Sequence, residues 1–381
     1  MPTLRTVLSI PVFLALLLAP AASEDASPAA ATAAVLPLLV TDGGAPAAAL
    51  LARDGEGDAG GDGADGDGGD DEGHDGVAGG SGRAGGGAGS RFRYAAAGHG
   101  IARADHFRAG SVTKTFIATV VLQLAAEHRL ALSDAVERHL PGLLRGHGTD
   151  GRRITLRALL THTSGLADFT EATRGTVPLT APQAVRTALA LPPARPGRYA
   201  YSNTNYVVLG LVVRQVTGHS YAAEAERRII APLGLTGTSF PGARRSLPAP
   251  HGRAYTVDGS DVTELDPRVA GAAGELVTTL ADLDRFYAAL LGGRLLPSHW
   301  LREMLDTRAA HGSYGMGLFP VTLPCGTTVW GHNGRISGSY VRSAATADGR
   351  RVLTFRLNTD AIADPRLEPA LLAAEFCPRT R

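Results

Sequence analysis

Long apolar runs, cysteine and lysine are all scarce in this 381-residue sequence, and each scarcity narrows what the protein can be. Beyond the N terminus no segment reaches the roughly 18 uninterrupted apolar residues of a membrane-spanning helix, so no stable membrane anchor is expected. The N terminus itself, residues 1–22, reads as a secretory signal. Arg5 gives a weak positive start, Val7 to Leu18 is apolar, and Ala19-Pro20-Ala21-Ala22 offers small residues for cleavage. The expected location is therefore extracellular. Cysteine occurs only at Cys325 and Cys377. In an exported protein two cysteines most simply form one disulfide, with two free buried thiols as the alternative.

Lysine occurs once, at Lys114, and the other 36 of the 37 basic residues are arginine. Arginine does not give up its proton in a protein, whereas a desolvated lysine does. A site that needs a neutral amine is the one place where arginine cannot stand in. Lys114 lies three residues after Ser111. On a helix those positions share a face, so the amine can reach the hydroxyl. This is the Ser-x-x-Lys arrangement of a nucleophile and its base. The plain alternative is a lysine on a solvated helix face.

Hydrophobic residues make up 44%, enough for a sizeable core. The net charge of +1 is unevenly spread. Residues 54–90 hold ten acidic side chains and one arginine, −9 in all, which leaves +10 on the rest. A basic body would favour an anionic polymer such as cell wall. Compositional drift towards arginine explains the same count, and no nucleic-acid partner is expected. The 54–90 segment is almost entirely Gly, Asp and Ala. It cannot bury enough apolar surface to offset its ordering entropy, so disorder is expected. It lacks the periodic apolar position of a calcium-binding repeat.

Ala29 to Val40 reads as an apolar helix, and Ala47 to Arg53 and Arg91 to Ala97 as paired strands around the acidic segment. Ser111 to Leu130 and Asn203 to Thr217 read as helices, the latter closed by Gly218. Ser133 and Thr155 look like N-caps, and Thr279 with Asp282 opens a helix through Leu291. Thr327 to His332, Gly338 to Ala347 and Arg351 to Thr359 read as strands, with Asp348-Gly349 a tight turn. Pro365 starts a last helix to Cys377. The expected fold class is α/β (α+β). One antiparallel sheet is built from both termini and flanked by helices, and a mostly helical lobe is inserted in the middle. The body of the domain is then residues 23–53 and 91–381.

Three motifs now stand in order: Gly110-Ser111-Val112-Thr113-Lys114, Tyr201-Ser202-Asn203, and His332-Asn333-Gly334 at a strand end. Together they resemble the three motifs of the penicillin-recognising serine hydrolases. That family includes class C beta-lactamases, D-alanyl-D-alanine carboxypeptidases, D-aminopeptidases and related esterases. The stretches at 154–166 (ITLRALLTHTSGL) and 272–286 (AAGELVTTLADLDRF) are also similar to it. The resemblance spans about residue 30 to 377. It implies the serine beta-lactamase/transpeptidase-like fold and an acyl-enzyme mechanism without metal or cofactor.

Carried over motif by motif, the resemblance makes Ser111 the nucleophile and Lys114 its base. Tyr201 becomes a proton relay and Asn203 a ligand of the substrate amide. His332 replaces the usual lysine beside Tyr201. Asn333, Gly334 and Arg335 line the substrate, with the N–H groups of Ser111 and Arg335 as an oxyanion hole. Crowding of these groups is expected to lower the pKa of the amine and the phenol. His162 is read as structural. Within the family the sequence is most similar to the secreted D-alanyl-D-alanine carboxypeptidases, which place one cysteine before the His-x-Gly strand and one in the last helix, as here. The implied substrate is a small peptide or a beta-lactam, with peptidoglycan as candidate partner. Two departures stand out. The family branch carries an arginine for the substrate carboxylate where Phe319 stands here, and a hydroxyl residue where Arg335 stands. An esterase, a beta-lactamase and a penicillin-binding sensor without turnover are the competing readings.

Overall fold

The computed structural model describes residues 27–55, 91–146 and 148–377. The signal-like segment 1–22 and residues 56–90 of the acidic segment lie outside the described residues. Ser27 caps a first helix, α1 (Pro28–Val35), by accepting from the Ala30 N–H. The expected helix to Val40 breaks there, because Pro37 has no N–H to continue the ladder; Leu38–Thr41 is a separate turn of helix.

Strand β1 (Ala47–Asp54) pairs with β2 (Arg91–Gly98), as the flanks of the acidic segment predict. The C-terminal strands are β3 (Phe319–Thr322), β4 (Thr328–Ile336), β5 (Ser339–Thr346) and β6 (Arg351–Leu357). β1 also pairs with β6, so both ends of the chain build one antiparallel sheet in the order β2-β1-β6-β5-β4-β3. Side chains alternate between two buried faces. Leu50, Leu353, Phe355 and Ala344 face a small core against α1 and the last helix, α6 (Leu367–Phe376). Leu51, Val352, Val341 and Ala345 face the large core.

The large core holds α2 (Thr113–Ala126), α3 (Phe169–Thr173), α4 (Asn203–Thr217) and α5 (Leu280–Leu291). The α4 and α5 boundaries match the caps read from sequence, Gly218 at φ 80° and Thr279 accepting from the Asp282 N–H. Thr155 caps Leu156–Leu160 as expected. Ser133 caps nothing; instead the carboxylate of Asp134 accepts from the Ala131 N–H, and helix begins only at Val136. α2 ends four residues before Leu130, because His128 turns left-handed at φ 57°. Pro365 stays outside α6, where the Asp364 side chain takes the Arg366 N–H in a turn. A disulfide joins Cys325, in the β3–β4 hairpin, to Cys377 after α6, across 52 residues. Closing a loop of that length is worth about 4 kcal/mol on the chain-entropy account. Among the described residues no helix is long and apolar enough to cross a membrane.

Candidate active site

Ser111 lies in the 3₁₀ turn Gly110–Val112 that feeds α2, and Lys114 is in the first α-helical turn. Lys114 is 0% exposed. Its Nζ meets Ser111 Oγ at 2.9 Å, Asn203 Oδ1 at 2.8 Å and the Ala273 carbonyl at 2.7 Å. The orientation of Asn203 is pinned from behind. Its Nδ2 donates to Asp168 Oδ2 at 2.9 Å and Thr170 Oγ1 at 3.2 Å. A carboxylate only accepts, so Asn203 Oδ1 must face the lysine. Two acceptors thus take two protons of the amine, and the lone pair of a neutral Lys114 is left pointing at Ser111. Burial lowers the Lys114 pKa to about 7, against an opposing pull from Asp168. That value makes the neutral amine available near neutral pH.

Tyr201, just before α4, donates its hydroxyl to Ser111 Oγ at 2.8 Å. Lys114 Nζ also stands 4.9 Å from its ring centroid. Crowding does not lower this phenol's pKa as the sequence reading expects. Burial raises it, and Tyr201 stays a hydroxyl donor. His162 supports it from the side. The two rings are 4.3 Å apart at 32°. His162 Nδ1 accepts from the Ser202 N–H at 3.2 Å and from Asn205 Nδ2 at 3.0 Å, so its proton sits on Nε2. Its backbone is left-handed at φ 56°, and burial holds its pKa well below the ordinary range.

His332 is buried on β4 and uses its ring elsewhere. Nδ1 lies 2.5 Å from the Asn333 carbonyl and Nε2 2.8 Å from the Tyr314 hydroxyl. The ring centroids of His332 and Tyr201 are 6.4 Å apart, with no hydrogen bond between them. Burial and the nearby Lys114 lower the His332 pKa to about 3, so the ring is neutral. His332 thus stands near Tyr201, where the resemblance puts it, but as a neutral, desolvated ring whose hydrogen-bond partner is Tyr314 rather than Tyr201.

β4 also runs four residues past its expected end at His332. Two glycines allow this. A Cβ on Gly334 would stand 1.8 Å from the Ala109 carbonyl, and one on Gly110 2.8 Å from the Arg335 nitrogen. The β4 backbone is therefore pressed onto the Ser111 turn, with the Arg335 N–H beside it. The Asn333 side chain does not line the cleft. Its amide is 3.5 Å from the Tyr340 hydroxyl, which itself contacts Glu368. The cleft over Ser111 measures about 470 Å³ and is walled by Asn203, Thr170, Ala273 and Arg335. Arg174 and Asp360 also face it, and Arg335 and Arg174 are exposed with no ion-pair partner among the described residues.

Ser111, Lys114, Tyr201 and Asn203 thus meet at one point, while His332 and Asn333 turn away from it. Asp168 and Tyr314 escaped the sequence reading. Asp168 carried a visible signal, since it precedes α3 and caps it through the Thr170 N–H. Among the described residues no group of three or more His, Cys, Asp or Glu is placed to hold a metal.

The sequence matches the beta-lactamase family over residues 41–372. Among solved structures, a D-stereospecific amidohydrolase from Streptomyces sp. superposes with a TM-score of 0.77 at 38% identity, covering 91% of this chain and 98% of that one. The D-amino acid amidase from Ochrobactrum anthropi SV3 gives 0.73 at 25% identity, over 90% and 97% of the two chains. The putative penicillin-binding protein PbpX of Bacillus subtilis (strain 168) is 32% identical over 216 residues, 56% of this chain and 53% of that protein. The chain spans about half the length of such curated relatives. By sequence and by fold, the chain belongs to the beta-lactamase family of penicillin-recognising serine hydrolases.

Proposed function

We propose that the protein hydrolyses amide bonds of D-amino-acid substrates through an acyl-enzyme on Ser111. The observation that carries this is Ser111 Oγ held between Lys114 Nζ and the Tyr201 hydroxyl. Neutral Lys114 takes the Ser111 proton as Oγ attacks the carbonyl carbon. The N–H groups of Ser111 and Arg335 receive the oxyanion. Tyr201 passes its proton to the leaving amine and is reprotonated from Lys114. Water then releases the acyl group by the same route in reverse. His162 and Asp168 act as positioning residues for Tyr201 and Asn203.

The D-configuration is supported by the likeness to a D-stereospecific amidohydrolase and a D-amino acid amidase. A peptide ending in D-Ala-D-Ala is the finer reading. It rests on the guanidinium of Arg335 at the cleft, unpaired among the described residues, which can hold a terminal carboxylate through paired hydrogen bonds. Peptidoglycan would supply such peptides, and the signal-like N terminus and the disulfide favour work outside the cell. Turnover of a D-Ala-D-Ala peptide, D- and L-phenylalanine amide, and a chromogenic cephalosporin tests the proposal. Cleavage of the D-compounds alone, with Ser111 acylated by the cephalosporin, is expected. Equal cleavage of both enantiomers or an unmodified Ser111 contradicts it.

A further inference from the structure

A second cavity, of about 340 Å³, lies behind the wall of the Ser111 cleft. Phe169, Val207 and Leu211 make its lining largely apolar, and Glu275 is its one acid. Glu275 is 4% exposed. Its Oε1 accepts from the Tyr221 hydroxyl at 2.6 Å, while its Oε2 has no hydrogen-bond or ion-pair partner among the described residues. Burial pushes this carboxyl up to about 7. A buried carboxylate without a counter-charge is costly, and such groups are nearly always paired. Among the described residues no cation serves it. Arg268 also lines the cavity, but Asp266 clamps it through both carboxylate oxygens. Arg214 faces the cavity from α4, is exposed, and makes no ion pair with Glu275.

We propose that this cavity is a second ligand site, taking a small organic ammonium ion whose apolar body fills the cavity and whose charge meets Glu275 Oε2. Apolar burial favours the body, and a charge-assisted hydrogen bond favours the head group. The site has a direct route to the chemistry. Ala270 lines both the cavity and the cleft. The next residues form the 3₁₀ turn Gly271–Ala273, whose last carbonyl accepts from Lys114 Nζ. The Glu275 N–H donates to the Gly271 carbonyl at 3.0 Å, so acid and turn move as one unit. An occupant therefore presses on the segment that orients the lysine. The site itself stands on the cavity and does not depend on Ser111 being the nucleophile.

Calorimetric titration of the whole protein with 2-phenylethylamine and with the neutral 2-phenylethanol tests this directly. The amine should bind one per chain and the alcohol about tenfold more weakly or worse. Glu275→Gln keeps the acceptor for Tyr221 and should lose about tenfold in amine affinity. Leu211→Trp, which fills the cavity, should abolish binding of both. Ser111→Ala should leave amine binding unchanged, so failure here is separate from failure of the catalytic reading. Equal affinity for amine and alcohol, full affinity in Glu275→Gln, or loss of binding once a beta-lactam occupies the Ser111 cleft would each overturn the proposal.

Discussion

The two walls of the Ser111 cleft work by different means. On the helical side, side chains carry the chemistry: Asp168, Asn203 and Lys114 are linked in series by hydrogen bonds of 2.8–2.9 Å, Tyr201 donates to Ser111 at 2.8 Å, and the Ala273 carbonyl is the one backbone group that helps to aim the lysine. On the strand side, β4 offers its backbone. Gly334 and the Arg335 N–H are pressed against the Ser111 turn, while His332 and Asn333 bond to Tyr314 and approach Tyr340. One wall is thus sensitive to the chemistry of its side chains, and the other to the absence of one.

That contrast sets an order of effects. Ser111→Ala should abolish labelling by a fluorescent penicillin with an unchanged melting temperature; a labelled mutant would put the nucleophile elsewhere. Gly334→Ala should be nearly as damaging. Its new Cβ would have to displace β4 from Ala109, and misplacing reacting groups by about 1 Å costs roughly a hundredfold. The loss should be equal on peptide, amide and cephalosporin. A loss on one substrate only would mean that the strand wall reads side chains after all.

The helical wall is broken by Asp168→Asn. The Asn203 amide loses its fixed acceptor, and kcat/KM should fall about tenfold, roughly 1.4 kcal/mol. The sign of the pH effect is also defined. Asp168 raises the Lys114 pKa, so its neutralisation should move the acidic limb of the rate profile to lower pH. A limb that moves up, or stays, would remove Asp168 from the account.

Much of the helical wall was legible in the sequence, because the i, i+3 spacing of Ser111 and Lys114 and the Tyr-x-Asn motif before an apolar helix are local features. The rest depended on contacts far apart in the chain. His162 reads as an ordinary residue of a helix–loop stretch. Only the fold sets its ring against Tyr201 and its Nδ1 under the Ser202 N–H. Neighbouring cations alone point to a lowered Tyr201 pKa, but burial is the larger effect and raises it. The strand wall likewise depends on a contact far apart in the chain. His-Asn-Gly looks like a strand end, yet two glycines let the backbone pass Ala109 and carry the pairing on to Ile336. Five of the six strands of the sheet were legible at the two ends of the chain, but edge strand β3, with Pro320 inside it, gave no such signal.

Two smaller effects sharpen the contrast. Arg335→Ala should lower kcat/KM on a D-Ala-D-Ala peptide by about tenfold and leave a neutral amide nearly unchanged, since only the side chain is lost. Equal losses on both would mean that the backbone donor has moved; none on either would remove the carboxylate contact. Asn333→Ala should change kcat/KM by less than about twofold on any substrate, as expected of a group outside the cleft. A larger loss would return this side chain to the substrate.

The central claim is that a neutral Lys114 deprotonates Ser111. The rate constant of Ser111 acylation by a beta-lactam, followed from pH 5 to 9 in the wild type and in Lys114→Arg, tests it most directly. The wild-type rate should rise through a limb near pH 7, where burial places the amine. Lys114→Arg keeps the charge but cannot lose its proton, so the limb should vanish and the rate fall well below about a tenth. An arginine variant that retains the limb, or more than that tenth, would contradict the account.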